Sequence, residues 1–314
     1  MMSMKIALAG IGKIARDQHV PSINASADWD LAATVSRHGT VDGVEAFDDF
    51  AALLAARPDI KVVSLCLPPV PRFDYAAAAL KAGRHVMLEK PPGATLSECH
   101  ALAAMAREAG VSIYATWHSR EAAQVAAAKA WLKGKRLYRL KVTWKEDVRR
   151  WHPGQAWIWQ AGGLGVFDPG INALSILTEI LPDPVHLTGA TLEFPENRET
   201  PIAASLRFFH PHGGDVSAVF DWRQDGDQIW TIEAETDGGN LLLADGGAKL
   251  AIDGHWQAET HDDGNPLHGE YPRLYSRMAA LVRSGDIDMD LSPMTHVADA
   301  FLLGKRVTVD PFDE

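Results

Sequence analysis

The chain has 314 residues, 46% of them apolar and 23% charged, with a formal net charge of −11. At roughly 150 residues per domain this is enough for two domains, each with its own core, and no run approaches the ~18 apolar residues that span a bilayer. The acidic balance argues against nucleic acid or an anionic membrane as partner, and the 2 cysteines, Cys66 and Cys99, exclude a disulfide framework or a multi-cysteine metal site. The opening apolar run, Ile6–Ile11, is too short for a signal-peptide core, so a cytoplasmic protein is expected.

From Lys5 to Trp117 short apolar runs alternate with helical patterns. Lys5–Ala9, Leu31–Val35, Val62–Leu67, His85–Leu88 and Val111–Tyr114 read as strands. Phe50–Ala56 and Asp74–Ala82 read as helices, the second closed by Gly83. Thr95-Leu96-Ser97-Glu98 has the spacing of a capping box and opens a helix that ends at Gly110. Alternating strands and helices predict a doubly wound parallel sheet, a Rossmann domain over residues 1–118.

Beyond Ser119 the pattern changes. A helix from about Arg120 to Leu132 stops at Gly134, a long strand follows over Leu137–Asp147, and an apolar helix over Ile171–Ile180 ends at Pro182. Several strand-length segments then follow in succession. Trp230, Ile232 and Ala234 alternate with polar neighbours, and Asp245-Gly246-Gly247 between Leu241–Leu243 and Lys249–Ile252 signals a hairpin. The expectation for 119–314 is an α+β domain with a large, mostly antiparallel open sheet, whose exposed face makes a homodimer reasonable. Helices close the chain at Pro272–Arg283 and Met294–Leu303, the last a candidate to pack back on the first domain.

Four segments carry chemistry. Gly10-Ile11-Gly12-Lys13-Ile14-Ala15 follows a strand and enters a helix, matching the dinucleotide fingerprint G-x-G-x-x-A in its required context. Gly10 permits the tight turn, Gly12 the approach of a pyrophosphate, and Ala15 the packing of helix on strand, while the helix N-terminus favours phosphate. About 20 residues on, an NAD-binder usually places an acidic residue on the ribose. Here stand Ser36-Arg37-His38, a set suited to a 2′-phosphate, so NADP is preferred, with NAD also open.

Glu89-Lys90-Pro91-Pro92 lies at a strand end, on the edge where open α/β sheets bind ligands. Lys90 there is either a surface charge beside a proline turn or a group that steadies an oxyanion. Asp168 and Asn172, spaced i and i+4 behind a glycine-rich run, share one helix face. Asp168 is either a general base for a hydroxyl or an N-cap with Pro169 at the first helical position. The glycines before it could let the helix approach a ligand.

Together these segments resemble the glucose–fructose oxidoreductase / inositol dehydrogenase (Gfo/Idh/MocA) family over essentially the whole chain. The resemblance implies cofactor contacts at Gly10, Ile11, Gly12, Lys13, Ile14, Ser36, Arg37, His38, Leu67, Pro68, Glu89 and Lys90. In that family the later helix usually carries Asp and His four residues apart. Here the His position is Asn172, which leaves Asp168 as the base. This variant, with Phe167–Ser175 and Trp151-His152-Pro153, is similar to a branch of aldose 1-dehydrogenases that act on L-arabinose and D-galactose, and activity on D-fucose is expected with them.

By that resemblance Lys90, His118, Glu146, Trp151, His152, Asp168 and Asn172 would contact a pyranose. Asp168, Asn172 and Lys90 would serve its oxidation at C1 to the aldonolactone. Trp151, Trp157 and Trp159 are open between site and core. No metal is needed, since the nicotinamide supplies the hydride chemistry; His210 and His212 with Asp215 read as a polar turn. Two other readings stay open: an oxidoreductase of another polyol or a dihydrodiol, and a non-catalytic, NADP-binding regulator of galactose use.

Overall fold

The computed structural model describes residues 3–258 and 269–313. Two compact units divide the chain, one made of residues up to 118 with 271–291, the other of 119–270 with 292–314.

In the first unit β1 (Met4–Ala9), β2 (Trp29–Val35), β3 (Glu45–Phe47), β4 (Val62–Leu65), β5 (His85–Leu88) and β6 (Ile113–Ala115) form one sheet in the order β3-β2-β1-β4-β5-β6. Every pairing is parallel, so both faces need cover. On one face Phe50, Leu53, Ala76, Leu80 and Leu102 from the crossover helices pack on Val63, Leu65 and Val86. On the other, Ile23 meets Tyr271, Leu274, Tyr275 and Met278 of the helix Glu270–Ser284. The expected strand at Val111–Tyr114 begins two residues later, and β3 joins the sheet edge unannounced. Thr95 and Glu98 do form the capping box, and Gly110 ends that helix in the left-handed region at φ 65°.

The strand order reverses between β1 and β4, which opens a crevice at their carboxyl ends. The helix leaving β1 is not regular: Ala15–His19 is a π turn before Val20–Ala25 resumes the α form. Such turns insert an extra residue and commonly lie at functional sites.

In the second unit β7 (Leu137–Lys145), β8 (His186–Pro195), β9 (Ala203–Phe209), β10 (Asp215–Asp221), β11 (Ile229–Thr236), β12 (Gly239–Ala244), β13 (Lys249–Ile252), β14 (His255–Trp256) and β15 (Lys305–Val309) make a nine-stranded sheet. Its order is β14-β13-β12-β11-β7-β10-β9-β8-β15, antiparallel apart from the β7–β10 and β8–β15 pairs. The helix Phe167–Ile180 is buried nearly all round, with Phe167, Ile171, Leu174 and Leu177 among its core residues. The helix Ser292–Leu303 belongs to this unit and packs on Phe167–Ile180 and β8. Within the tail, residues 271–291 group with the first sheet rather than with 119–314, and Tyr271, Leu274 and Met278 fill its second face.

Candidate active site

In the first unit the fingerprint turn has the geometry its glycines require. Gly10 sits at φ 90°, and a Cβ there would lie 3.0 Å from the Leu67 nitrogen, so the turns after β1 and β4 are in contact. A Cβ on Gly12 would meet nothing within 4 Å, which leaves its backbone open to a pyrophosphate, and Ala15 is fully buried against the sheet. This cradle fits a dinucleotide.

After β2, Ser36 is half-buried while Arg37 and His38 are exposed. A Cβ on Gly39 would lie 2.7 Å from an Arg16 guanidinium nitrogen, so Arg16 from the fingerprint helix reaches the same loop. Arg16 adds a second cation that local reading missed.

Glu89-Lys90-Pro91 follows β5 with Lys90–Pro91 cis. Glu89, expected at the cofactor, turns its carboxylate inward: His19 Nε2 lies 2.8 Å from Oε1, and Tyr271 donates to the same oxygen at 2.9 Å. Burial would raise this carboxyl, but the His19 hydrogen bond and the charges of His19, His118 and Lys90 hold it down at about 2. Burial likewise opposes charge on His19, yet facing Cys66, Tyr275 and Glu89 raise it well above its ordinary value. Arg72 is buried and donates to the backbone oxygens of Leu67, Glu89 and Pro91. His118 closes the unit with its ring stacked on Tyr271, centroids 5.5 Å apart.

In the second unit the parallel pair β7–β10 brings two strand ends side by side. Glu146, one residue past β7, donates its N–H to the Asp221 carbonyl at 3.0 Å. Asp147 then caps a single turn, Val148–Trp151, by accepting from the Arg149 N–H at 3.0 Å, and His152 follows that turn. Across the pair Trp222 follows β10 with its ring 5.3 Å from that of His152, and Trp230 on β11 donates to Glu146 Oε2 at 3.0 Å.

Phe167–Ile180 delivers the last carboxylate. Its N-cap is Val166, which puts Asp168 inside the first turn and removes the capping alternative. Gly170 makes the approach: a Cβ there would lie 2.8 Å from the Phe220 ring of β10. The glycines upstream serve the chain itself rather than a ligand, since Cβ atoms at Gly163 and Gly165 would each fall 2.4 Å from a backbone oxygen, of Trp157 and Pro201 respectively.

The result is a buried polar cluster. His152 Nε2 stands 3.8 Å from Glu146 Oε1 and 3.7 Å from Asp168 Oδ2, with both carboxylates only 5% exposed. His152 Nδ1 and Trp222 Nε1 are buried with no hydrogen-bond partner among the described residues. Such atoms are costly unless a polar ligand engages them. Asn172 lies one turn along from Asp168 and is half-buried. Trp151 is 39% exposed, 5.4 Å from the Trp230 ring, and bonded to Gln228, whereas Trp159 is buried against Trp222. Trp222 and Trp230 had no local motif to announce them; the β7–β10–β11 register brings them in. His210 and His212 lie elsewhere, His212 being 3.5 Å from Asp183.

The chain is similar to known proteins over its whole length. Residues 4–116 match the GFO_IDH_MocA family model, an oxidoreductase family with an NAD-binding Rossmann fold. The whole chain is similar to a galactose 1-dehydrogenase of Pseudomonas fluorescens, 42% identical over 99% of each chain. A crystal structure of D-galactose-1-dehydrogenase from Rhizobium etli is 55% identical, covers 100% of this chain and 99% of its own, and superposes with a TM-score of 0.95. A 3-ketoreductase from Actinomadura kijaniata, 20% identical over 98% of this chain and 99% of its own, shares the fold at a TM-score of 0.82.

Proposed function

The chain belongs to the Gfo/Idh/MocA oxidoreductase family, and from that premise we propose that it is an NADP-dependent aldose 1-dehydrogenase acting on D-galactose, L-arabinose and D-fucose. A nicotinamide cofactor, when bound, supplies the acceptor for the hydride that leaves C1. Gly10–Ile14 would hold the pyrophosphate and Arg37, with Ser36 and Arg16, the 2′-phosphate.

The observation that carries the reading is the buried cluster of Asp168, Glu146 and His152, with orphaned donor capacity on His152 and Trp222. A polyol satisfies such groups. Asp168 would take the proton of the anomeric hydroxyl as the C1–H bond breaks, leaving the C1 oxygen as the lactone carbonyl. Asn172 and Lys90 would hold that oxygen, and Glu146, His152, Trp151 and His118 would contact the ring and its hydroxyls.

The test is to incubate the purified protein with NADP or NAD and each sugar, following reduced nicotinamide and trapping the lactone. Turnover of galactose and arabinose supports the reading. Nicotinamide binding without turnover of any free aldose returns the chain to the non-catalytic alternative. The nine-stranded sheet, with Phe167–Ile180 on one face, presents Ser205, Ser217 and Thr143 among its other alternate residues. A homodimer through that face is part of the proposal, and a monomer in sedimentation at micromolar concentration rejects it.

A further inference from the structure

Resting on that reading, we infer that Glu89 is a positioning residue which, with His19 and Tyr271 locking its carboxylate, fixes the backbone at Lys90 and the ring of His118. The first-unit groups assigned to the sugar are thereby tied to one buried anion.

The connections are specific. Glu89 Oε2 accepts the Lys90 N–H at 2.9 Å. Arg72 holds the carbonyls on either side, those of Glu89 and Pro91, so the backbone around Lys90 is gripped at its own N–H and at both neighbours. Glu89 Oε1 is shared by His19 at 2.8 Å and Tyr271 at 2.9 Å. The other face of the Tyr271 function is its ring, stacked on His118 with 19° between planes.

Both ring nitrogens of His19 are engaged: Tyr275 Oη lies 2.7 Å from Nδ1 and Glu89 Oε1 lies 2.8 Å from Nε2. Against burial, the facing Cys66, Tyr275 and Glu89 favour the charged ring, which then pairs with a carboxylate. A buried ion pair contributes little stability compared with apolar residues of the same volume, and its best-attested use is to fix register. Here the register fixed is that of the turn carrying Lys90. His19 itself is the last residue of the π turn Ala15–His19.

The kinetic test uses Tyr271→Phe and Glu89→Gln, each alone and combined with Lys90→Met. Tyr271→Phe keeps the ring on His118 and carries the test if Glu89→Gln folds poorly. Misplacement of a reacting group by about 1 Å can cost ~10²-fold, so kcat should fall by about 10-fold or more with KM for NADP little changed. The same changes should add almost nothing in the Lys90→Met background. Undiminished kcat, or equal losses in both backgrounds, overturns the inference.

A second readout separates this from the functional reading. Lysines are methylated reductively with ¹³C, and the Lys90 resonance is identified by its loss in Lys90→Met. That resonance should shift or broaden in Tyr271→Phe. If the wild-type protein turns over no aldose, the dehydrogenase reading falls, and an unchanged Lys90 resonance then decides against positioning as well.

Discussion

Asp168 stands inside the first turn of its helix behind an N-cap of Val166, so its side chain is not needed to close that helix. Asp168→Asn should therefore lower turnover by the ~10²–10⁴-fold typical of a lost general base while the melting temperature scarcely moves. Early melting with normal turnover would refute the assignment. Arg37 is exposed on the loop after β2, and without its guanidinium a 2′-phosphate loses a forked partner. Arg37→Ala should raise KM for NADP far more than for NAD; an equal effect on both argues against it. The His19–Glu89 pair predicts a pH signature. The carboxyl is lowered from 4.5 to about 2, so its stabilisation is complete above 4.5 and lost as pH falls towards 2. The imidazole is raised above 6.5, so its stabilisation is complete below 6.5 and lost as pH rises through the higher value. The melting-temperature gap between wild type and His19→Asn/Glu89→Gln should be widest between these limits and narrow on either side; a gap that widens above pH 6.5 would show a neutral imidazole. Lys90, Arg37 and Asp168 could be singled out in the sequence because each lies beside a local motif. His19 and Tyr271 were not, since Glu89 is 70 residues from one and 182 from the other.

Elements with a strong local pattern were read closely. Phe50–Ala56 and His85–Leu88 match residue for residue, the first because Asp49 caps it and the second because a buried parallel strand is a short apolar run. Two edge strands escaped: β3 has three residues and β15 alternates half-exposed side chains, so neither buries enough to stand out. The π turn over Ala15–His19 escaped too, because no residue pattern in it distinguishes i→i+5 from i→i+4 bonding. The helix Phe167–Ile180 shows what a single residue can set. A methyl on Gly170 would strike Phe220, so the helix could not keep its distance from β10. Gly170→Ala should destabilise the protein by about 1–3 kcal/mol through overpacking and lower kcat by moving Asp168. Adding Phe220→Leu should recover part of both. Full activity and stability in the single variant would show that the close approach does not set the carboxylate's place.

Periodicity marked a parallel α/β pattern before residue 118 and a strand-rich one after it, but not that 271–291 groups with the first sheet. On the proposed reading the first unit would supply a phosphate cradle and Lys90, and the second a carboxylate–imidazole cluster. On the same reading, substrate choice at the level of the molecule would follow from what the second cluster can leave unpaired. L-Arabinopyranose has the ring stereochemistry of D-galactopyranose and lacks only the C5 hydroxymethyl group, and D-fucose differs from galactose by one hydroxyl. Groups that bond the shared C2, C3 and C4 hydroxyls hold all three sugars in one pose, and a pocket rejects a modestly different isostere by only ~10²-fold. D-Glucose inverts C4. Its hydroxyl would then miss its partner among Glu146, His152 and Trp222, of which Glu146 and Trp222 are buried and His152 is half-buried. A buried group left without its hydrogen bond can cost ~10⁴-fold in specificity. Galactose, arabinose and fucose should accordingly share kcat/KM within about two orders of magnitude, with glucose well below them. If glucose and galactose prove equally good, the cluster does not read C4 and the sugar assignment fails.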